Sequence, residues 1–492
     1  MDLQKFRLPE DTWCNPLALE HYPCGMLAPG RYGKDAKSSG GFIGPVRDFR
    51  ELADPEVLFD DGVWYLFPSA GDAYVSTDLV RWEYRKILFS GGERLGYAPT
   101  IAKCRGRYLL SSNRSFDGKT EILAADSPLG PYHSLGTPVD GDGKPLSPEW
   151  LDPMLFADED GRLYAYWHFG GTGEGIFGIE LEAENPVRGI GKPVKLINFN
   201  PENRFERFGD GNEHPRMAWI EGESMFRHDG SYYLQYSACG TQFRRYCIGV
   251  YRGNSPLGPF TGQSSPVALQ PHGRVTGTGH GCWTRGPGGS VWQFYTVLVR
   301  RIHKYERRIG MDRVEFSPDG EAHVTVTSSP QSLAGGDEGQ LPLSVNKNAS
   351  ASSSCGCCYP GFAVDDCSHT WWMPDAGDRE PFLEVDLREE FIVTSLQVCW
   401  AEEGLDYRAG VLPEPTKYSV KFYDDGHRLR GEADFRNNDR ELLTDFRAVA
   451  PVRARFARLE MIPPENPALR RGVNNFTLFG FFDADPGTSV RR

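Results

Sequence analysis

Five times between Ala53 and Tyr295 the chain repeats one pattern: an apolar strand, a turn containing glycine, then a strand rich in aromatic residues. The segments are ADPEVLFDDGVWYLF from Ala53, YAPTIAKCRGRYLLS from Tyr97, LDPMLFADEDGRLYAYW from Leu151, IEGESMFRHDGSYYLQY from Ile220 and GHGCWTRGPGGSVWQFY from Gly279. Turn chemistry makes each a β-hairpin. Their second residues, Asp54, Ala98, Asp152, Glu221 and His280, stand eight or nine positions before the turn glycines Gly62, Gly106, Gly161, Gly230 and Gly289. Repeats of about 40–50 residues built from short antiparallel strands predict a β-propeller, because one four-stranded sheet cannot bury both faces and must stack on its neighbours around an axis. Five blades fit within residues 1–335, with 1–40 as an N-terminal extension. The segments STDLVRWE (76–83) and SPLGP (127–131 and 255–259) read as loop and outer-strand features.

Composition agrees with an all-β protein and narrows its partners. Gly 56, Pro 36 and 12% aromatic residues supply turns and flat strand faces. A net charge of -13 and mean hydropathy of -0.47 leave no basic surface for nucleic acid and no apolar run of about 18 residues for a membrane span. The opening residues mix acids, bases and prolines where a secretory signal needs a continuous apolar stretch, so a cytoplasmic location is expected unless a signal has been removed. Eleven scattered cysteines read mostly as reduced core thiols.

In a propeller the innermost strands line the channel, so equivalent positions at their starts converge at one mouth. Here that set is Asp, Ala, Asp, Glu, His, and the slot that holds Ala98 shows that the fold itself does not require acids there. Carboxyl groups around one cleft push each other's pKa values apart, which suits glycosidic cleavage: one acid stays protonated to donate to the leaving oxygen, another stays ionised to activate water. Asp54 and Asp152 also have a plain structural reading, as turn residues before Pro55 and Pro153.

The ADPEV, YAPTI, LDPMLF, IEGE and GHG hairpins, together with SPLGP, resemble glycoside hydrolase family 43 over roughly residues 40–330. The resemblance implies a five-bladed propeller and an inverting, mostly exo-acting enzyme on arabinose-, xylose- or galactose-containing glycans. It implies Asp54 as general base, Asp152 as the acid that orients and tunes its partner, Glu221 as general acid, and His280 as a channel histidine that contacts a structural calcium through water. No other cofactor is implied. Where the family has Glu-Gly-Pro, this chain has Glu221-Gly222-Glu223, so Glu223 competes for the acid's role; Glu221 is preferred as the one in register with Asp54 and Asp152. For inversion the acid and base should lie about 6.5–9.5 Å apart, against about 5–5.5 Å for retention. Arg308 resembles the family's channel arginine, although RRIHKYERR also reads as a basic surface stretch. Trp167 and Gln242 are further candidates for the substrate pocket, or for packing and loop hydrogen bonds.

A composition shift marks a linker at 328–342, and strand-like alternation over 343–483 predicts a β-sandwich that resembles a discoidin-type domain. Trp371 and Trp372 there read as core, or as sugar-stacking residues. Cys355, Cys357 and Cys358 could bind zinc with Cys367 or Cys399, though paired zinc-knuckle spacing is absent. The expected function is an exo-glycosidase, first an α-L-arabinofuranosidase, then a β-xylosidase or exo-galactosidase; the competing reading is a non-catalytic glycan-binding propeller. Its expected partner is an oligosaccharide or polysaccharide.

Overall fold

The computed structural model describes residues 2–25, 48–69, 71–91, 93, 95–113, 120–146, 150–168, 175–299, 301, 303, 305–333 and 339–482. Residues 26–47, which include the end of the N-terminal extension, and part of the linker (334–338) therefore lie outside the described residues. The chain divides into two compact units: Arg50–Leu298 with Tyr305–Val326, and Met1–Phe49 with Val299–Lys304 and Thr327–Arg492. The described N-terminal residues thus group with the C-terminal unit.

The first unit is the propeller, five four-stranded antiparallel meanders beginning at Glu56, Thr100, Leu151, Glu221 and Gly281 and numbered I to V in that order. The first strand of each blade touches the first strands of its two neighbours, and that of blade V returns to blade I, so the five form a closed ring around the axis. Cores lie between blades. Trp150, Leu155, Ala165 and Trp167 pack with Leu109 and Ile122 between II and III, and Tyr166, Leu234 and Tyr236 pack between III and IV.

Every blade is one continuous stretch of chain, so no strand is shared between the first and last blades. Side chains close the ring instead: Trp64 Nε1 donates to Arg285 O at 2.7 Å, Val57 N to Cys282 Sγ at 3.1 Å, and Trp82 meets Phe294 edge-on at 5.8 Å. Trp64→Ala should therefore cost about 3–5 kcal/mol of stability, read as a lower midpoint in urea unfolding.

The C-terminal unit is a β-sandwich built from one bent seven-stranded sheet. The strands lie in the order 341–342, 470–482, 382–403, 444–461, 418–423 and 429–435, with 348–351 added beside 382–403. Bulges near Asp386 and Val393 bend the long central strand; 444–461 runs along both halves, while on the other side the first half pairs with 348–351 and the second with 470–482. Trp372 is fully buried in this core and donates to Ser353 O at 2.9 Å, while Trp371 lies under the Arg301 guanidinium at 5.4 Å. Among the described residues no cysteine joins a metal-type cluster, and all eleven cysteines are free thiols. Among the same residues no helix is long and apolar enough to cross a membrane.

Candidate active site

The slot that opens each innermost strand has left-handed backbone geometry in every blade: φ is 49° at Asp54, 48° at Ala98, 45° at Asp152, 61° at Gly222 and 40° at His280. Non-glycine residues adopt this region at a cost of about 1–3 kcal/mol, and such strain gathers where side chains must be aimed at a ligand. The fourth blade corrects the register expected from sequence. Glu221 pairs with Ser237 as Leu151 pairs with His168, and a bulge follows in both blades, so Gly222, not Glu221, is the counterpart of Asp152. A side chain there would strike the His280 ring, since a Cβ would lie 2.8 Å from Nδ1.

A second ring of side chains holds this first one. The residue two after each slot pairs with Phe67, Ser111, Tyr166, Gln235 or Phe294 on its blade's second strand, and two residues further on that strand brings up Ser69, Asn113, His168, Ser237 or Thr296. Four of these cap the next blade's slot: Ala98 N donates to Ser69 Oγ at 2.8 Å, Asp152 N to Asn113 Oδ1, His280 N to Ser237 Oγ at 2.7 Å, and Asp54 N to Thr296 Oγ1 at 3.0 Å. Only at the junction of III and IV does the pattern change, where Gly222 N donates to Asp152 Oδ2 at 3.1 Å. Asp152 thereby fixes the backbone beside Glu221.

Asp54, Asp152 and His280 meet at the axis. His280 Nδ1 lies 3.4 Å from Asp54 Oδ1 and 3.7 Å from Asp152 Oδ2. Asp54 is buried; it accepts hydrogen bonds from Arg307 Nη1 at 3.0 Å and from the Ser69 hydroxyl. Burial works against the Asp152 charge, but His168, His280, the Asn113 amide at 2.7 Å and the Gly222 N–H overcome it and hold that carboxyl below its usual range. Glu221 goes the other way. Burial, and then the negative charge of Asp152, push it up to about 8 against the opposing pull of His168 and of the Tyr246 hydroxyl, which donates to Oε1 at 2.8 Å. Two neighbouring carboxyl groups are thus separated into a standing carboxylate and a standing acid. Because the Tyr246 bond favours the charged form of Glu221, Tyr246→Phe should move the alkaline limb of the activity profile to higher pH, as kcat/KM against pH would show.

Arg308 does not reach these acids: its Nη1 donates to Arg307 O at 2.9 Å and to Arg50 O at 3.4 Å. The adjacent Arg307 does, bridging Asp54 and Glu51 (Nε to Oε2, 3.3 Å) with the Tyr97 and Tyr305 rings 5.6 and 5.3 Å from its guanidinium. Tyr97 also donates to Glu51, and both tyrosines are only partly buried. Trp167 is packing: fully buried, it stacks on Trp150 at 5.4 Å and Phe177 at 6.3 Å. Gln242 lies half-buried in the loop after the second strand of blade IV, beside Thr241, whose hydroxyl accepts from Arg307 Nη1 at 3.2 Å. Glu51, Tyr97, Tyr246, His168 and Arg307 escaped the sequence reading. Tyr97 and Glu51 stand one and three residues before slot positions, and that is the signal that could have found them.

The profile of the family described as Glycosyl hydrolases family 43 matches residues 45–322. Among characterised proteins, the chain is 26% identical over 302 residues to Beta-D-galactofuranosidase xynD of Aspergillus niger, covering 55% of this chain and 81% of that one. It is 28% identical to a Beta-xylosidase of Xylanibacter ruminicola over 33% of this chain and 54% of that one. It is also 26% identical to Extracellular endo-alpha-(1->5)-L-arabinanase 2 of Bacillus subtilis, over 43% of this chain and 50% of that one. The chain thus spans only about half the length of the latter two. With a propeller of five blades, an acid kept protonated beside an ionised partner, and a match over more than half its length, this chain belongs to glycosyl hydrolase family 43, a family of inverting glycoside hydrolases.

Proposed function

We propose that the protein removes terminal α-L-arabinofuranosyl groups from glycans, with Glu221 as general acid, Asp54 as general base and Asp152 as the group that tunes and orients Glu221. The observation that carries the reading is the raised Glu221 carboxyl, at about 8, beside the depressed Asp152. In the single displacement, Glu221 gives its proton to the leaving glycosidic oxygen as the anomeric bond breaks. Water attacks from the opposite side and passes a proton to Asp54, so both groups return to their starting forms only after proton exchange with solvent. Arg307, held between Tyr97 and Tyr305, places a fixed positive charge and two aromatic faces beside the base, where sugar hydroxyls can accept and rings can pack.

Furanoside specificity is supported by the relatives named for galactofuranose and for arabinan. α-L-Arabinofuranose and β-D-galactofuranose share the ring configuration and differ in the exocyclic chain, so one pocket shape serves either. The name of the xylosidase relative keeps β-xylosides among the outcomes. A calcium ion held by His280 through water would need more room than the cavity there, about 10 Å³ or on the order of one water, now gives. The C-terminal sandwich, discoidin-like in sequence, we read as a glycan-binding module.

Nitrophenol release from α-L-arabinofuranoside, β-D-xyloside, β-D-galactofuranoside and α- and β-galactopyranoside tests the assignment. Arabinofuranoside should be hydrolysed fastest. A faster xyloside or galactoside would move the specificity, and binding of a polysaccharide without hydrolysis of any glycoside would favour a binding protein.

A further inference from the structure

The junction between blades III and IV departs from the other four at two positions at once. In the capping slot, where the other blades carry Ser69, Asn113, Ser237 and Thr296, blade III carries His168. Immediately after the left-handed slot, where blades I to III have Pro55, Pro99 and Pro153 and blade V has Gly281, blade IV carries Glu223. The two exceptions face each other: His168 Nδ1 lies 3.4 Å from Glu223 Oε2 and 3.9 Å from Asp152 Oδ2, with side-chain exposures of 5% for His168 and 0% for Glu223. Neither Glu223 oxygen, nor His168 Nδ1, has an aligned hydrogen bond. Two polar groups buried without hydrogen bonds are costly unless each carries the charge that satisfies the other. Their backbone duties have been taken over, since Asp152 caps Gly222 in place of His168.

We propose that Glu223 is a positioning residue of the reaction: its carboxylate clamps a protonated His168 against Asp152 and so keeps a fixed positive charge behind the acid pair. This deepens the reading above and rests on Glu221 being the acid. The groups facing His168 are Glu223 and Glu221 from blade IV and Asp152 from its own blade; Asp152 in turn faces His280, Asn113 and the Gly222 N–H, and Glu221 faces Tyr246, Asp54 and Asp152. Burial works against a charged His168, yet the surrounding carboxylates, Glu223 foremost, bring it up to about 9. Glu223 is itself pushed up, to about 7, by burial, and His168 opposes that rise. Between about 7 and 8, therefore, the pair is mostly ionised while Glu221 mostly keeps its proton.

The fold supplies its own control, because the double variant H168S/E223P places at this junction residues that the other blades already use at the same slots. Proton–carbon NMR of the histidine-labelled protein, with the His168 resonance identified by its loss in H168N, should show His168 protonated to about pH 9 in the wild type. In E223Q its midpoint should fall toward about 6.5, the ordinary histidine value. Both E223Q and H168S/E223P should lower kcat by about 10- to 100-fold with poor leaving groups and by less with acidic phenols, with KM little changed, because both act through the acid. A His168 that titrates near 6.5 in the wild type, or is unmoved in E223Q, overturns the proposal. So does loss of the alkaline limb of kcat/KM in E223Q, which would make Glu223 the acid in place of Glu221. If the wild type hydrolyses no glycoside, the functional reading fails, and the NMR titration alone decides the pair.

Discussion

Asp54→Asn lowers kcat by about 100- to 10,000-fold on every substrate, whatever its leaving group, because the attacking water has no base to take its proton. The asparagine carbonyl can still accept the hydrogen bond from Arg307 Nη1 that Asp54 Oδ1 accepts at 3.0 Å, and Arg307 keeps Glu51 as a second partner, so the pocket should keep its shape. Substrate binding should survive, which separates loss of the base from loss of fold. Steady-state kinetics on an aryl glycoside and on a natural oligosaccharide, with a binding measurement on the same variant, check this. Retention of most activity would place the base elsewhere.

Glu221→Gln has the opposite signature. With sugar leaving groups kcat falls by about 100- to 10,000-fold, whereas a strongly acidic phenol, which needs no proton to depart, is released within about tenfold of the wild-type rate. The pH profile carries a second sign. Glu221 acts in its protonated form, and burial together with Asp152 holds it up to about 8, so wild-type kcat/KM should fall as pH rises through that value. In the variant that alkaline limb disappears, because glutamine does not titrate. A limb that persists unchanged would show that another group donates the proton.

The architecture was legible because it rests on local chemistry. Turn glycines and aromatic second strands recur at fixed offsets, and the structure forms a four-stranded blade on each. Asp54, Asp152 and His280 were legible for the same reason, being slot residues that the ring brings to the axis. Single-residue register was not. The bulge between Glu221 and Ser224 moves Gly222 into the slot, and nothing in IEGES marks it except the glycine itself. Arg307 and Arg308 pose the same problem, since neighbouring residues on a strand point to opposite faces and RR offers both. Trp167 and His168 likewise divide, the indole into the core and the imidazole toward the acids. Glu51, Tyr246 and the His168–Glu223 contact depend on which blades adjoin and how deep their side chains reach, and those distances exist only after the ring has closed.

The central claim is a single displacement between Glu221 and Asp54. Its most direct test is proton NMR of a hydrolysis in progress, recorded before the released sugar mutarotates. The account predicts that the anomer formed first is inverted relative to the substrate, β-L-arabinose from an α-L-arabinofuranoside. First appearance of the retained anomer would require a covalent glycosyl-enzyme and would contradict the roles assigned to both residues.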